Sequence, residues 1–317
     1  MNILITGVAG FIGFNLAKYL LNKKYKIYGV DNLDSYYSIL LKKKRLNNLR
    51  KNKRFIFNYL DLAERNKTNI FFKNKKFDLI INLAAQAGVR YSLKNPRKYI
   101  DTNIFGFLNL IEQANKHKIK NIMYASSSSV YGENKNFPLK ESEELNPKNI
   151  YAVSKKLNEE IAETYHKISK INFIGLRFFT IYGEWGRPDM FMYKLFKAFF
   201  LKKTFYLNNY GNHLRDFTYI DDVTHIIEKL IKKKFIGNSV FNICSNKPQN
   251  ILNIVKNFSK KHKTNIKMMP MNKADVLKTH GNNTKIKKLT LFNKFSDFED
   301  SFSKTFEWYK KNRIFKY

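Results

Sequence analysis

Tyr151 and Lys155 stand four residues apart in the segment Tyr-Ala-Val-Ser-Lys. On a helix that spacing puts both side chains on one face, where they can converge on one volume. A phenol with a reference pKa of about 10 is a poor base at neutral pH. An ammonium about 4 Å away is worth about 4 kcal/mol at an effective dielectric near 20. That is enough to lower the phenol by up to about three units before any offset from burial. The pair has the makings of an acid–base centre for an alcohol. Three glycines say what accompanies it. Gly7, Gly10 and Gly13 lie between an apolar, β-branched run, Asn2-Ile-Leu-Ile-Thr6, and a helical pattern beginning at Phe14. Glycine permits a tight turn and close backbone approach to a pyrophosphate, and a helix N-terminus offers N–H groups to the anion. Asp31 ends a second strand-like run, Lys26–Val30, eighteen residues after Gly13. A carboxylate there suits a ribose 2′-hydroxyl and would repel a 2′-phosphate, which points to NAD over NADP. A dinucleotide beside such a pair is equipment for oxidising a carbinol.

Other elements must carry these residues to one place. Asn121–Ala125 reads as a buried strand and delivers four hydroxyls, Ser126 to Ser129. In open parallel sheets ligands bind beyond the carboxyl ends of the strands, so this cluster can meet both a substrate alcohol and the Tyr151 phenol. Leu157, Ile161, Tyr165 and Ile168 recur on successive turns and support a helix through Tyr151. Phe55–Leu60, Asp78–Leu83 and Asn172–Phe178 read as further strands alternating with helical patterns. The result is an α/β fold, a Rossmann-type doubly wound parallel sheet. From about Thr180 the pattern loosens, which predicts a dinucleotide domain over 1–179 and a smaller C-terminal substrate lobe over 180–317.

The 317-residue chain has 59 Lys and Arg against 25 Asp and Glu, a net charge of +34. Such a balance raises nucleic acid as a partner. The lysines, however, are spread in short runs such as Lys42–Arg45, Lys232–Lys234 and Lys260-Lys261, with no recognition motif beside them. Solvated faces and no nucleic-acid partner are therefore expected. Cys244 is the one cysteine, so no intramolecular disulfide can form, as suits a reducing cytoplasm. The opening residues form a strand without a signal-peptide layout, and no apolar run reaches membrane-spanning length, so no membrane insertion is expected. The six histidines show no metal-ligand spacing.

Over nearly its whole length the chain resembles the extended short-chain dehydrogenase/reductase family, and within it the nucleotide-sugar epimerases. Gly7, Gly10 and Gly13, with Phe11 and Ile12 between them, match the cofactor loop. Asp61-Leu62 matches the adenine contact, and Asn82-Leu83-Ala84-Ala85 the strand end beside the cofactor; Asn32 follows Asp31 in the same group. Ser127, Tyr151 and Lys155 match the catalytic triad. Asp31–Tyr37, Gln86–Ser92, Arg177–Met190 and Arg215–Val223 are long matching stretches. An arginine fork suits diphosphates and carboxylates, which gives Arg90, Arg187 and Arg215 a use. The resemblance implies that Arg187 and Arg215 contact UDP and that Asp275 reaches the nucleotide ribose. It implies that Ser128, Ser129 and Thr180 line the sugar pocket. Ala274-Asp275-Val276 stands where the family has Gly-Asp-Val.

The implied reaction is NAD-dependent 4-epimerisation of a UDP-hexuronic acid, UDP-glucuronate to UDP-galacturonate, through a 4-keto sugar. Epimerisation of UDP-glucose, of UDP-N-acetylhexosamines or of their uronates stays open, as does decarboxylation of UDP-glucuronate. Dehydratases and decarboxylases of this family carry a carboxylate near positions 128 and 129, where this chain has serines. The resemblance further implies a homodimer through helices in the Asp101–His117 and Tyr151–Ile168 regions, and a return of 215–230 to the first lobe.

Overall fold

The computed structural model describes residues 1–271 and 275–316; Ala274 lies outside them. Its strands are β1 Asn2–Thr6, β2 Lys26–Asp31, β3 Phe55–Tyr59, β4 Leu79–Asn82, β5 Asn121–Ser127 and β6 Asn172–Phe178. They continue with β7 Thr180–Tyr182, β8 Phe205–Asn208, β9 Leu214–Tyr219, β10 Asn238–Ile243, β11 Pro248–Asn250 and β12 Ile266–Met269. Seven of them form one sheet in the order β10-β6-β5-β4-β1-β2-β3, with every pairing parallel.

Strand β1 shows why the pattern is buried on both faces. Ile3 and Ile5 pack with Phe14, Leu16 and Leu20 of the helix Phe11–Asn22, while Leu4 packs with Phe107 and Leu110 on the opposite side. Alternate side chains leave a strand on opposite faces, so a run apolar at every position needs helices on both. The expected doubly wound α/β sheet is the observed one. Chain order reverses between β1 and β4, and the crevice beyond the carboxyl ends there is the natural ligand site.

The strand β10 is an edge that the sequence reading left unassigned within the smaller lobe. Its run Asn-Ser-Val-Phe-Asn-Ile alternates too poorly to signal a strand. Asn242 is nevertheless buried, because its amide donates to Leu139 O at 2.8 Å and its side-chain oxygen accepts from the Tyr131 hydroxyl at 2.7 Å. The helix Ile220–Lys232 packs against Phe11–Asn22, with Tyr19 and His225 rings 4.8 Å apart. Smaller sheets, β11-β9-β7 and β12-β8, complete the other side of the crevice.

The helix through Tyr151 spans Ile150–Ser169. Asn149 caps it by accepting from Ala152 N at 3.0 Å, and Lys170 ends it in a left-handed conformation. Only half of its apolar stripe packs inward, Ile161 and Tyr165 lying against the core. Leu157 is 41% and Ile168 72% exposed, whereas Ser154, Lys155, Asn158 and Glu159 are buried. That face docks by hydrogen bonds on a π-helical turn, Ile100–Phe105: Asn158 donates to Asn103 O at 2.8 Å, and Asn103 to Ser154 Oγ at 2.9 Å. Among the described residues no helix is long and apolar enough to cross a membrane.

Candidate active site

Gly7 leaves β1 at φ +64, and Gly10 N donates back to Gly7 O at 2.9 Å. A Cβ at Gly7 would sit 2.8 Å from the Ala84 backbone, one at Gly10 2.9 Å from Gly7 O, and one at Gly13 would overlap that carbonyl. Only glycine lets the turn close this tightly. Gly10 caps the helix Phe11–Asn22 with no side chain, so its first N–H groups face the crevice. Asp31 is buried at the end of β2; it accepts from Ala9 N at 3.0 Å and Leu33 N at 2.8 Å. Burial pushes its carboxyl up, opposed first by Lys42, 4.0 Å away. Asn32 donates to Asp61 Oδ2 at 2.9 Å. Thr6 joins Asn82 at 2.5 Å and accepts from Ala84 N at 3.0 Å, which pins the Leu83-Ala84-Ala85 turn beside the glycines.

Ser127, Tyr151 and Lys155, the expected acid–base group, line one cavity. Ser127 ends β5; its Oγ accepts from Ser129 N at 3.1 Å, and it lines the same cavity as the Tyr151 phenol. Burial pushes the phenol up, while the nearby Ser127 hydroxyl and then the Arg187 charge pull it down. Lys155 Nζ donates to Ala125 O at 2.8 Å, and burial pushes its amine down to about 7 against the pull of Glu159. The four-residue spacing puts Tyr151 and Lys155 on one side of the helix, and both line the cavity.

Behind Lys155, Glu159 accepts from Ser126 Oγ at 2.5 Å and forms a bidentate buried pair with Arg177 at 2.9 and 2.7 Å. At the other end of the crevice Arg90 grips both oxygens of Asp275, at 3.2 and 2.6 Å. Arg215 donates to the carbonyls of Leu214, Val276 and Leu277 and keeps Nε free of a partner in that set. Arg187 pairs with Asp189 at 2.5 Å, and Lys194 feels the charges of both this pair and the Arg90–Asp275 pair.

One cavity of about 980 Å³ collects these groups. Gly7, Gly10, Phe11, Ile12, Gly13, Asp31, Asn32, Asp61, Leu62, Leu83, Ala84 and Ala85 line one arm. Ser127, Ser128, Ser129, Tyr151, Lys155 and Thr180 line the middle, with Arg90, Arg187, Arg215 and Asp275 beyond. The volume stands at the upper end of ligand clefts, as a dinucleotide and a second nucleotide require. The glycine cradle, the open helix N-terminus and Asp31 fit NAD: a pyrophosphate needs the space that three Cβ atoms would fill.

Other lining residues carried no signal in the sequence reading. Lys194, Lys197, Lys203 and Lys278 add positive charge to the arm near Arg215. Arg45 and Lys42, read as part of a solvated run, are buried. Arg45 donates to Ala9 O at 2.8 Å, to Tyr37 Oη at 2.8 Å and to Trp185 O at 2.6 Å, so it ties the glycine turn to the opposite loop. The helix Ile39–Leu49 holds the missed cue: Leu41, Lys42, Arg45, Leu46 and Leu49 share its buried face.

Comparison with known proteins agrees with this geometry. Residues 3–244 match the NAD dependent epimerase/dehydratase family. Protein CapI of Staphylococcus aureus is 39% identical, with 98% of each chain covered. A UDP-glucuronate 4-epimerase of Thermodesulfobacterium geofontis is 36% identical over 98% of this chain and 96% of its own. Among solved structures, a UDP-glucuronic acid 4-epimerase from Bacillus cereus, in complex with UDP-glucuronic acid and NAD, superposes with a TM-score of 0.91 at 30% identity. That match covers 98% of this chain and 99% of the other. A dinucleotide cradle, Ser127 and Tyr151 in one cavity with it and a match across three quarters of the sequence converge: the chain belongs to the NAD-dependent epimerase/dehydratase family.

Proposed function

We propose that this protein is a UDP-glucuronate 4-epimerase that interconverts UDP-glucuronate and UDP-galacturonate with tightly held NAD. The observation that carries the reading is the single cavity lined both by the glycine cradle and by Ser127, Tyr151 and Lys155. Near-complete coverage of UDP-glucuronate 4-epimerases supports the substrate. Gly7, Gly10 and Gly13 hold the pyrophosphate, Asp31 the adenosine ribose, and Asp61, Leu62 and Ala84 the adenine side. Bound NAD supplies an acceptor, and later a donor, for the hydride at the sugar C4.

The chain's own residues handle protons and position. Tyr151 takes the proton of the 4-hydroxyl and returns it after the sugar has turned. Ser127 hydrogen-bonds the hydroxyl in flight. Lys155, held by Ala125 O, orients the nicotinamide ribose. Ser128, Ser129 and Thr180 receive the C6 carboxylate with neutral hydroxyls. A 4-keto uronic acid is a β-keto acid and loses carbon dioxide readily, so a pocket with serines at 128 and 129 suits retention of the carboxylate. Arg90, Arg215 and Asp275 form the nucleotide end, where Asp275 exchanges Arg90 for the ribose. The enzyme acts as a cytoplasmic homodimer; exposed Phe105, Leu157 and Ile168 on adjoining helical segments support the pairing face.

Incubation with UDP-glucuronate and no added reductant, followed by proton NMR, tests the reading. UDP-galacturonate without carbon dioxide is expected; UDP-xylose would make the protein a decarboxylase.

A further inference from the structure

The loops after β2 and β7 meet through side chains that neither the cofactor cradle nor the Ser127–Tyr151 pair uses. Tyr36 donates its hydroxyl to Asp189 Oδ2 at 3.0 Å, and Asp189 Oδ1 accepts from Arg187 Nε at 2.5 Å. One oxygen thus faces the β2 side and the other the arginine. Arg187 and Asp189 are 22% and 28% exposed in the cavity wall, and Met190 N donating to Arg187 O at 3.1 Å closes the turn that carries them.

Tyr36 is itself braced. Its N–H donates to Asp34 Oδ1 at 2.9 Å, and Lys98 holds the other oxygen of Asp34 at 2.5 Å. The Tyr91 ring lies 4.8 Å away, and Gly88 at φ +142 approaches so closely that a Cβ would overlap the Tyr36 hydroxyl. Burial and then the adjacent Asp189 push the phenol up to about 12, so it stays a donor at working pH.

A guanidinium on a surface loop turns towards whichever anion is nearest. An aspartate two residues away on the same turn would move with it. Anchored from the other side of the crevice by a phenol, the same aspartate becomes a fixed reference. Tyr36, Arg187 and Asp189 line the same cavity as Tyr151, and the Arg187 and Asp189 charges act on its phenol in opposite senses. We propose that Tyr36 and Asp189 are positioning residues that fix the Arg187 guanidinium beside Tyr151. The loop following β2, whose strand carries Asp31, thereby sets the geometry of the sugar end.

This rests on the proposed reaction for its kinetic test. Turnover of UDP-glucuronate is compared for the wild type, Tyr36→Phe, Arg187→Ala and Tyr36→Phe/Arg187→Ala, with Asp189→Asn as a second probe. Tyr36→Phe removes one oxygen and no charge. It is expected to lower kcat by about tenfold in the wild type and by less than about twofold once Arg187 is gone, because residues acting through one group are not additive. Equal losses in both backgrounds, or no loss in the wild type, would overturn the proposal. Wild-type protein inert towards UDP-glucuronate would strike the functional reading instead. Hydrogen exchange of residues 183–190 in the NAD-loaded protein then decides: faster exchange in Tyr36→Phe supports the clamp, and unchanged exchange overturns it.

Discussion

At the residue scale the acid–base centre depends on what burial does to each member. The Tyr151 phenol is pushed up and the Lys155 amine is pushed down to about 7, each by loss of water. The lysine has a consequence for stability. Unfolded, an amine of this kind titrates near 10.4. Between about 7 and 10 the unfolded chain holds a proton that the folded chain has released, so the contribution of Lys155 to stability rises with pH there. Below that interval both states are protonated and folding bears the cost of a buried ammonium. Lys155→Met removes this slope. In urea titrations its stability relative to the wild type should be greatest at pH 6.5 and fall by pH 9; a pH-independent difference would contradict the burial effect. The residues themselves were legible because their spacing is fixed by the helix. Their protonation was not, since it depends on burial by other elements and, for Tyr151, on Ser127, Arg187 and Asp189.

At the scale of elements, legibility followed periodicity. The glycine turn, β1 to β6 and the Tyr151 helix all carry regular patterns, and each stands where its pattern put it. β10 lacked one and was missed. The helix Ile150–Ser169 shows the opposite error: its apolar stripe was visible, but Asn103 and Ala125 drew the polar side inward. Arg45 was hidden in a basic run, although helical spacing placed it with Leu41 and Leu49. It holds the glycine turn against Trp185 and Gly186, so its replacement should be felt in both lobes. Arg45→Met keeps the stem but leaves buried carbonyls unpaired, each at about 1–3 kcal/mol. A loss of about 3 kcal/mol in chemical denaturation and weaker retention of NAD are expected; near-wild-type values in both would show the tie to be dispensable.

For the whole molecule, the reversal of strand order between β1 and β4 opens the crevice, and the smaller sheets close its far side. The candidate site could be read in advance because its residues sit at strand ends whose order the α/β pattern dictates. The far wall was harder to read: Asp189 lies in a loop with no period, Lys194 on the short helix Phe191–Phe200, and the pairing of Arg90 with Asp275 joins residues 185 positions apart. The exposed side of the Tyr151 helix is the proposed pairing face. Light scattering should give twice the chain mass, and Leu157→Glu with Ile168→Glu should give monomers of unchanged helicity; a wild-type monomer would remove the pairing face.

The central claim is that one hydride leaves C4 and returns to C4 within a single closed site. UDP-glucuronate carrying deuterium at C4, incubated in ordinary water, tests it most directly. UDP-galacturonate with the label kept at C4 is expected, read by mass spectrometry and NMR. Product that has exchanged its label with water, or released its carboxylate as carbon dioxide, would contradict it.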